Sequence, residues 1–498
     1  MIRAMNLARL GEENVERFGP YVSLAFEDRE YTNVEQQGAA SRLAHALTRL
    51  GVAEGDRIVV MLPNCPEVLQ AYAAILKTGA VVVPVVFLLS PEEVRHILAD
   101  SEARVVITSE VLAAKVEGWP GTVIMVGGGG SGLAYDDLVA AESDRFATRD
   151  RGDADLAVIL YTAGTTGRPK GVALSHGNLA ANAHASASLY EMDRTRWALA
   201  VLPLSHSYGL TMMNAGNLLG TRSVLLRWFN PELVLETIQR YRVQSMAGVP
   251  TMYVYLLNYP GGEGFDTSSV RVWGSGAAPL PTEIVEPFER KFGGKLMEGY
   301  GLTEASPVVS AHRLSGVRKL GSVGQPLPGV EVRILDDEDR VLPVGEVGEV
   351  GVRGANVMLG YYRMPEETAA VLRDGWLRTG DVGRLDADGF LYIVERKKDL
   401  IIRGGFNIYP REVEEVLYAH PGIAEAAVVG RRDALMGEEV VAYVVAKSGA
   451  TLEAKAVIAF CEERLARYKC PREVRLVEAL PKSPIGKILR KELRTRVD

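Results

Sequence analysis

The sequence predicts an α/β protein with a large N-terminal domain of doubly wound sheets, a β-rich subdomain and a small α+β domain at the C-terminus. Three observations support this. The 498 residues are too many for one ordinary hydrophobic core. Helix and strand patterns alternate over the first hundred residues, which is typical of a parallel sheet. After about residue 320 the pattern changes to short strands separated by glycine turns.

The alternating elements can be assigned in order from their end signals. SRLAHALTRLG (41–51) is a helix with Leu43, Leu47 and Leu50 on one face and Gly51 as its stop, and RIVVML is a buried strand. The next elements are a helix from Pro66 to Gly79, the strand VVVPV, a helix begun by a capping box at Ser90 and Glu93, and the strand RVVIT. VGGGGSGLA (126–134) is either a mobile connector or a tight turn.

The C-terminal part predicts antiparallel strands followed by a separate unit. GEVGEVGVRG and LDADGFLYIVER are the strands of the β-rich subdomain. Beyond the charged segment RKKDLIIRGG we expect a helix at 412–419, strands at 424–430 and 438–447, a helix at 452–468 and a strand at 473–477. The boundary between the domains is predicted near residues 396–400.

Composition favours a protein that acts on small molecules. The formal charge of −7, from 56 basic and 63 acidic residues, gives no general attraction to nucleic acid or to an anionic membrane. Cys65, Cys461 and Cys470 have neither metal-ligand nor redox spacing, which indicates a reducing compartment. The N-terminus lacks the apolar core of a secretory signal, and YAAILKTGAVVVPVVFLL is too interrupted for a transmembrane segment. We therefore expect a cytoplasmic protein.

A glycine-rich and threonine-rich loop, YTAGTTGRPKGV, spans residues 161–172. Its glycines allow close approach of the backbone, and its hydroxyl and N–H groups are donors suited to phosphate oxygens. The loop does not match the ATPase pattern G-x-x-x-x-G-K-[ST], because Arg168 and Pro169 separate Gly167 from Lys170. A flexible surface turn is the alternative for this stretch alone.

Further motifs follow the loop in a fixed order. They are PLSHSYGL (203–210), WGSGAAPL (273–280), MEGYGLTEAS (297–306), LRTGD (377–381), GGFNIYP (404–410) and PKSPIGKILRKEL (481–493). Together with the loop they resemble the adenylate-forming superfamily, which contains acyl-CoA synthetases, adenylation domains of peptide synthetases and beetle luciferases. The resemblance covers nearly the whole chain, and the acyl-CoA synthetase or fatty-acid–CoA ligase branch fits best.

The resemblance implies an ATP site. The residues that it assigns to ATP are Thr162, Gly164, Thr165, Thr166, Gly167, Lys170, Gly276, Ala277, Ala278, Gly299, Tyr300, Gly301, Thr303, Asp381, Arg396 and Lys487. Ala163 stands where many relatives carry serine, which removes one hydroxyl donor. Small residues in GSGAAPL would let the backbone lie against adenine, Tyr300 would stack on it, and Asp381 would accept from the ribose hydroxyls.

The resemblance also assigns the catalytic groups. Glu304 resembles the carboxylate that binds Mg²⁺, and Thr303 precedes it. His206 would lie beside the reacting carboxylate, and Lys487 matches the lysine that is required for adenylation. Taken alone, each of these residues has an ordinary structural alternative, such as a core histidine or a solvated surface charge.

The acyl pocket implied by the resemblance contains no Lys or Arg. Its residues are Tyr208, Gly209, Met212, Met213, Met246, Val249 and Tyr253. A second substrate carboxylate would be costly there without a cation, so an apolar acid is implied. The flexible methionines suit an aliphatic chain.

The implied reaction has two halves on a moving scaffold. A carboxylate attacks the α-phosphate of Mg-ATP and expels pyrophosphate, and the thiol of coenzyme A then takes the acyl group and releases AMP. The N-terminal domain would comprise residues 1–396, the hinge 397–399 with Lys398, and the mobile C-terminal domain 400–498. Gly404 and Gly405 would line the tunnel for the thiol.

Other functions remain open at this stage. The alternatives are an aryl or alicyclic acid–CoA ligase, an adenylation enzyme that loads a carrier protein, a luciferase-like oxygenase and a non-catalytic nucleotide-binding protein. Retention of Glu304, Asp381 and Lys487 in one chain argues against the last of these. The sequence does not determine the oligomeric state, and a homodimer is compatible with it.

Overall fold

The fold contains four β-sheets with helices packed on them. The computed structural model describes residues 6–162, 169–189, 192–483 and 486–497. Two large, mainly parallel sheets form the N-terminal region, an antiparallel sheet follows, and a fourth sheet belongs to the C-terminal region. The predicted α/β class with a β-rich subdomain and a small α+β domain is confirmed.

The first large sheet has eight strands. In spatial order they are Gly360–Tyr361, Lys170–Ser175, Leu156–Thr162, Val81–Pro84, Arg57–Val60, Val105–Ser109, Thr122–Val126 and Leu133–Ala134. Pairing is parallel except for the two pairs that involve Lys170–Ser175. Residues 126–134 do not form a free connector, because the chain turns there and adds Leu133–Ala134 to the sheet edge.

The second large sheet has nine strands. Their order is Gln325–Pro326, Val308–Ala311, Lys295–Gly301, Val272–Ser275, Ser245–Gly248, Trp197–Ala200, Arg222–Leu225, Val22–Phe26 and Arg29–Thr32. The central pairs are parallel. Their carboxyl ends therefore meet at one edge, where open α/β sheets bind ligands.

Helices cover both faces of the two large sheets, as the doubly wound pattern predicts. Their bounds are Arg9–Phe18, Asn33–Arg49, Pro66–Lys77, Pro91–Asp100, Tyr135–Val139, His176–Ala187, Ser207–Leu219, Pro231–Tyr241, Pro250–Leu257 and Thr282–Phe292, with 3₁₀ turns at Glu110–Val116, Gly262–Gly264 and Thr303–Ala305. The two sheets share one hydrophobic core, to which the helices Asn33–Arg49 and Pro66–Lys77 contribute. Ser90 and Glu93 form the predicted capping box.

The third sheet is antiparallel throughout. Its strands are Val330–Leu335, Gly348–Gly354, Leu372–Arg373, Trp376–Leu385 and Leu391–Arg396, and the helix Pro365–Val371 precedes Leu372–Arg373. A 3₁₀ turn at Lys397–Asp399 then leads to the fourth sheet.

The C-terminal sheet has its own hydrophobic core. Its strands are Ile401–Arg403, Phe406–Ile408, Ile423–Asp433, Gly437–Ala446 and Glu473–Leu476, with helices Pro410–Tyr418, Ala454–Glu462 and Arg490–Thr495. The helix predicted to reach residue 468 ends at Glu462. Beyond it the chain turns, so that Leu465 and Tyr468 pack on this core.

Two further expectations can be compared with the structure. The three cysteines are buried and unbridged, in agreement with their spacing. Within the described residues, no helix has both the length and the apolar character needed to cross a bilayer.

Candidate active site

A cavity of about 1650 Å³ lies where the two large sheets, the third sheet and the C-terminal domain meet. The carboxyl ends of Val272–Ser275 and Lys295–Gly301 open into it, and so does the start of the helix Ser207–Leu219. Lys398 of the linking turn and Lys487 of the C-terminal domain line the same space. Most of the predicted site residues are therefore brought together.

The predicted nucleotide residues line one side of this cavity. Gly276, Ala277 and Ala278 follow one parallel strand, while Gly299 and Gly301 lie in the next. Thr162 and Lys170 face them from the hairpin of the eight-stranded sheet. Four of the predicted ATP residues, Gly164, Thr165, Thr166 and Gly167, lie outside the described residues.

Glu304, the predicted metal ligand, is held by a tyrosine that sequence reasoning missed. The Tyr361 hydroxyl donates to Glu304 Oε1 at 3.0 Å. Lys170 Nζ lies 5.3 Å from the centre of the same ring. Burial first, and then the charge of Glu304, raise the pKa of Tyr361, so this tyrosine remains a donor. One side chain thus links the carboxylate to the lysine of the phosphate loop.

Asp381 is bound by two of the other predicted residues. The Tyr300 hydroxyl donates to Asp381 Oδ2 at 2.6 Å, and Arg396 Nε lies 3.1 Å from Oδ1. Asp381 is only 3% exposed. The tyrosine is thus fixed through its hydroxyl, while its ring borders the cavity beside the strand-end glycines.

Lys487 lies in a loop that is closed by its own neighbours. Lys487 N donates to Ser483 Oγ at 3.1 Å, and Ser483 N donates to Lys487 O at 2.7 Å. Burial first, and then the charge of Arg396, lower the pKa of Lys487 to about 7. The charge of Asp381 opposes this shift without cancelling it, so the lysine is placed to gain a stronger anionic partner from a ligand.

His206 caps the helix Ser207–Leu219. Tyr208 N donates to His206 Nδ1 at 3.2 Å, so Nδ1 is the acceptor and the ring proton is assigned to Nε2. Burial, and then the Lys487 charge, lower the pKa of His206 to about 4. The ring is neutral near pH 7 and can donate one hydrogen bond to a ligand. Thr303 is fixed nearby, with its Oγ1 3.3 Å from Ser207 Oγ.

Comparisons with known proteins agree with this geometry. Residues 11–362 match the family model described as AMP-binding enzyme, and residues 412–487 match the one described as AMP-binding enzyme C-terminal domain. A long-chain-fatty-acid–CoA ligase of Bacillus subtilis is 39% identical, with 97% of this chain and 92% of that protein covered. A feruloyl-CoA synthase of Amycolatopsis is also 39% identical, with 93% and 94% covered.

The chain belongs to the AMP-binding enzyme family.

A solved structure supports the same assignment. The crystal structure of ATP-bound MatB from Rhodopseudomonas palustris has a TM-score of 0.91 to this AMP-binding enzyme, with 34% identity and 98% of each chain covered. The curated relatives are named CoA ligases and synthetases. The enzyme class is thus that of the AMP-forming acyl-CoA synthetases, the adenylate-forming branch that the motifs indicated.

Four residues of the predicted acyl pocket of this AMP-binding enzyme line the cavity through one helix. Tyr208, Gly209, Met212 and Met213 all lie on Ser207–Leu219. A Cβ on Gly209 would come within 2.3 Å of Pro203 O, so the tight entry into the helix requires glycine.

Of the other three predicted pocket residues, Met246 is among the described lining residues, whereas Val249 and Tyr253 are not. Met246 borders the cavity, but its side chain is 2% exposed and packs in the core on the opposite face of the sheet. Tyr253 belongs to the same core, where it meets Trp273 and Phe288 edge-on. Val249 joins this core too, and neither it nor Tyr253 is among the described residues that line the cavity. For Met246 the reason is strand alternation, because the half-buried Ser245 and Ala247 flank it on the other face. Val249 and Tyr253 lie beyond the strand, at the start and in the middle of the helix Pro250–Leu257.

Gly404 and Gly405 do not border the cavity in this structure. They form the tight turn between Ile401–Arg403 and Phe406–Ile408, where both have positive φ. Neither is among the described lining residues, whereas Lys487 is. The arrangement thus presents the lysine loop to the site and keeps the glycine turn away from it.

A buried polar cluster at the contact between the domains was also missed. Arg411 donates from its backbone N to Glu395 Oε2 at 2.9 Å and from Nη1 to Ile393 O at 2.6 Å. Leu280 N donates to Glu298 Oε1 at 3.0 Å, and burial raises the pKa of Glu298 to about 7 although the Arg411 charge opposes the shift. Glu298 lies in MEGYGLTEAS, where the sequence alone gives no sign that this carboxyl is buried.

The donor set around Glu304 fits a metal ion that arrives with the nucleotide. Within the part of the chain that is described, no group of three or more His, Cys, Asp or Glu could hold an ion by itself. A single carboxylate beside Thr303 leaves the remaining coordination positions to phosphate oxygens and water, as Mg²⁺ prefers.

Proposed function

We propose that this AMP-binding enzyme activates an apolar carboxylic acid, a medium-chain or long-chain fatty acid, with Mg-ATP and transfers the acyl group to coenzyme A. One observation carries the proposal. The nucleotide residues, the Lys487 loop and a chamber under helix Ser207–Leu219 share one cavity. No described residue of that helix is charged, so this wall of the chamber offers no cationic partner for a second carboxylate.

The first half-reaction follows from the groups on the two sides of this cavity. A carboxylate oxygen forms a bond to the α-phosphorus, and the bond to the pyrophosphate leaving group breaks. Lys487 neutralises charge between carboxylate and α-phosphate, and the neutral His206 donates from Nε2 to orient the acid. Glu304, held by Tyr361, would bind Mg²⁺, which supplies neutralisation of the phosphate charge. Asp381 would accept from the ribose once the nucleotide is bound.

The second half-reaction requires a different arrangement of the domains. The sulfur of coenzyme A forms a bond to the acyl carbon, and the bond from that carbon to the AMP oxygen breaks. We propose that residues 400–498 rotate on the hinge 397–399 against residues 1–396, with Lys398 at the pivot. Lys487 would leave the site and Gly404 with Gly405 would line the path of the thiol. Their present separation from the cavity supports this two-orientation account.

An aryl acid is the second candidate substrate class. The feruloyl-CoA synthase of Amycolatopsis has the same 39% identity to this chain as the fatty-acid ligase, which supports an aromatic acid as the second candidate. The second alternative concerns the acceptor: the acyl group would be transferred to a carrier protein instead of coenzyme A. A cytoplasmic location and a homodimer remain parts of the proposal that a solution experiment would test.

A screen of acids tests the substrate class. Pyrophosphate release and thioester formation would be measured with aliphatic acids of increasing length, aromatic acids, acetate and malonate. We expect apolar acids to give the highest kcat/KM. Malonate as the best substrate would refute the apolar chamber, and thioester formation with a carrier protein alone would refute coenzyme A as the acceptor.

Two variants test the two orientations. Lys487→Ala should abolish adenylate formation and spare thioester formation from presynthesised acyl-adenylate, because the lysine acts only in the first transition state. Gly405→Leu should do the reverse, and continued ATP–pyrophosphate exchange would show that it is folded. Lys447→Ala, at an exposed site of the C-terminal domain, is the control. Equal slowing of both half-reactions by Lys487→Ala would contradict the account.

A further inference from the structure

The nine-stranded sheet carries small residues beneath the acyl chamber. Strand register places Ser223, Ala198 and Ser245 side by side, and we call these three the deep row. Two residues further along the strands, Ala200, Ala247 and Gly274 form the upper row. Members of both rows line the cavity.

The exposure of these residues shows that a void lies over them. Ser223, Ala198 and Ser245 are half-buried on central strands, while Val224, Leu199 and Met246, which point to the other face, are 4%, 3% and 2% exposed. In a packed α/β core both faces of a central strand are covered. The chamber is therefore a space between the sheet and the helix above it.

The helix Ser207–Leu219 forms the roof of the chamber, and its course shows the direction in which an acyl group would extend. Tyr208, Met212 and Gly216 recur at helical spacing and line the cavity. The helix begins beside His206, at the carboxyl ends of the strands, and ends just before Arg222–Leu225. The deep row lies two residues, or about 7 Å, further from the reacting end than the upper row. An acyl group attached near His206 would thus extend toward the deep row.

The deep row carries two hydroxyl groups, those of Ser223 and Ser245. Within the described part of the chain, Ser223 and Ser245 make no side-chain hydrogen bond, and both face the cavity. By contrast, the buried Ser269 donates to Val243 O at 2.8 Å. Neither row contains a charged residue. The two rows therefore offer neutral hydrogen-bonding groups and no charged side chain of their own.

We infer that the preferred acid has an apolar body and carries a neutral hydrogen-bonding group, such as a hydroxyl, carbonyl or ether oxygen, remote from its carboxylate. Ser245 and Ser223 are the residues that would recognise this group. The inference rests on the proposed function and narrows its substrate class. A purely hydrocarbon chain would bury these serine hydroxyls without a hydrogen-bond partner. The free-energy cost of the unpaired hydroxyls is the main reason why a site of this kind discriminates against an acid that lacks the oxygen.

Matched pairs of acids test the inference. Each pair would be a straight-chain acid with its ω-hydroxy derivative, or phenylpropanoate with its para-hydroxy derivative. The measured quantity is the ratio of kcat/KM for the oxygenated acid to that for the plain acid, from pyrophosphate release. We expect the ratio to exceed one in the wild type and to fall roughly three- to tenfold in Ser245→Ala or Ser223→Ala, the loss of one neutral hydrogen bond.

Moving the hydroxyl between rows makes the test positional. The double variant Ser245→Ala/Ala247→Ser places it on the upper row, so the preferred acid should carry its oxygen closer to the carboxylate. Ser269→Ala, which removes a buried hydroxyl outside the chamber, should leave the ratio as it is in the wild type and controls for general effects of serine removal.

The outcomes separate the inference from the proposed function. If plain and oxygenated acids form thioesters with equal kcat/KM, and the ratio is unchanged in both alanine variants, the inference is overturned and the proposed function still stands. No adenylate from any acid would overturn both. A ratio that falls in Ser269→Ala as much as in Ser245→Ala would also overturn the assignment of the deep row.

Discussion

Replacing Lys487 by methionine should abolish a proton uptake that accompanies ATP binding. In the ligand-free protein, burial and Arg396 hold the pKa of Lys487 near 7, so about half of these side chains are uncharged at pH 7. The α-phosphate brings an anion to the lysine, which favours its charged form. Methionine keeps the length and apolar stem of the side chain while removing the titrating group.

The size of the effect follows from the charge arrangement. A phosphate oxygen about 4 Å from Nζ contributes about 4 kcal/mol at an effective dielectric constant near 20. That energy corresponds to about three pKa units, enough to return Lys487 to its ordinary range near 10. ATP binding should then take up about half a proton per site at pH 7, about one-tenth at pH 6 and nearly one at pH 8. His206, with a pKa of about 4, contributes nothing in this window.

Calorimetry in buffers of different ionisation enthalpy measures this uptake directly. The wild type, Lys487→Met and Lys447→Met would be titrated with Mg-ATP at each pH. Glu298→Gln belongs in the set, because Glu298 also has a pKa of about 7. A proton uptake in Lys487→Met equal to that of the wild type would refute the reasoning. If the uptake were lost in Glu298→Gln alone, Glu298 and not Lys487 would be the group that takes up the proton.

Three further predictions concern the groups around the cavity. Glu304→Gln should raise the Mg²⁺ concentration needed for half-maximal ATP binding, because it removes the anionic ligand, and an unchanged Mg²⁺ titration would contradict the assignment. Tyr361→Phe removes the 3.0 Å hydrogen bond to that carboxylate and should shift the same titration by roughly tenfold or less, with a smaller change in ATP binding without metal. Glu298→Gln should stabilise the fold above pH 7. The folded pKa of about 7 exceeds the unfolded value of 4.5, so the wild type loses stability as pH rises between these values, by about 3 kcal/mol in total. Denaturant unfolding at pH 5 and pH 8 should show a difference of about 1 kcal/mol or less at pH 5 and most of the difference at pH 8.

Local signals in the sequence were sufficient for the class of fold, while the predicted site residues came from the resemblance of the motifs to the adenylate-forming superfamily. The capping box at Ser90 and Glu93 depends only on neighbouring residues and was confirmed. The glycine and alanine residues after Val272–Ser275 mark a strand end, and in a parallel sheet all strand ends share one edge. Tyr300, Asp381 and Lys487 come from three separate motifs along the chain, and all three line one cavity, as the resemblance implied.

Only the tertiary structure decided which face of each strand meets the chamber. In Ser245–Gly248 the sequence shows an apolar methionine between two small residues, and Met246 was the natural choice for an apolar pocket. In the structure Ser245 and Ala247 are half-buried beside the cavity, whereas Met246 is 2% exposed and belongs to the core cluster. The contact of Tyr361 with Glu304 and Lys170 likewise joins three distant segments. In a strand of four residues, one serine among small and apolar neighbours is too short a pattern to fix which face meets a cavity. Contacts between remote segments have no local pattern either, so both features arise from packing.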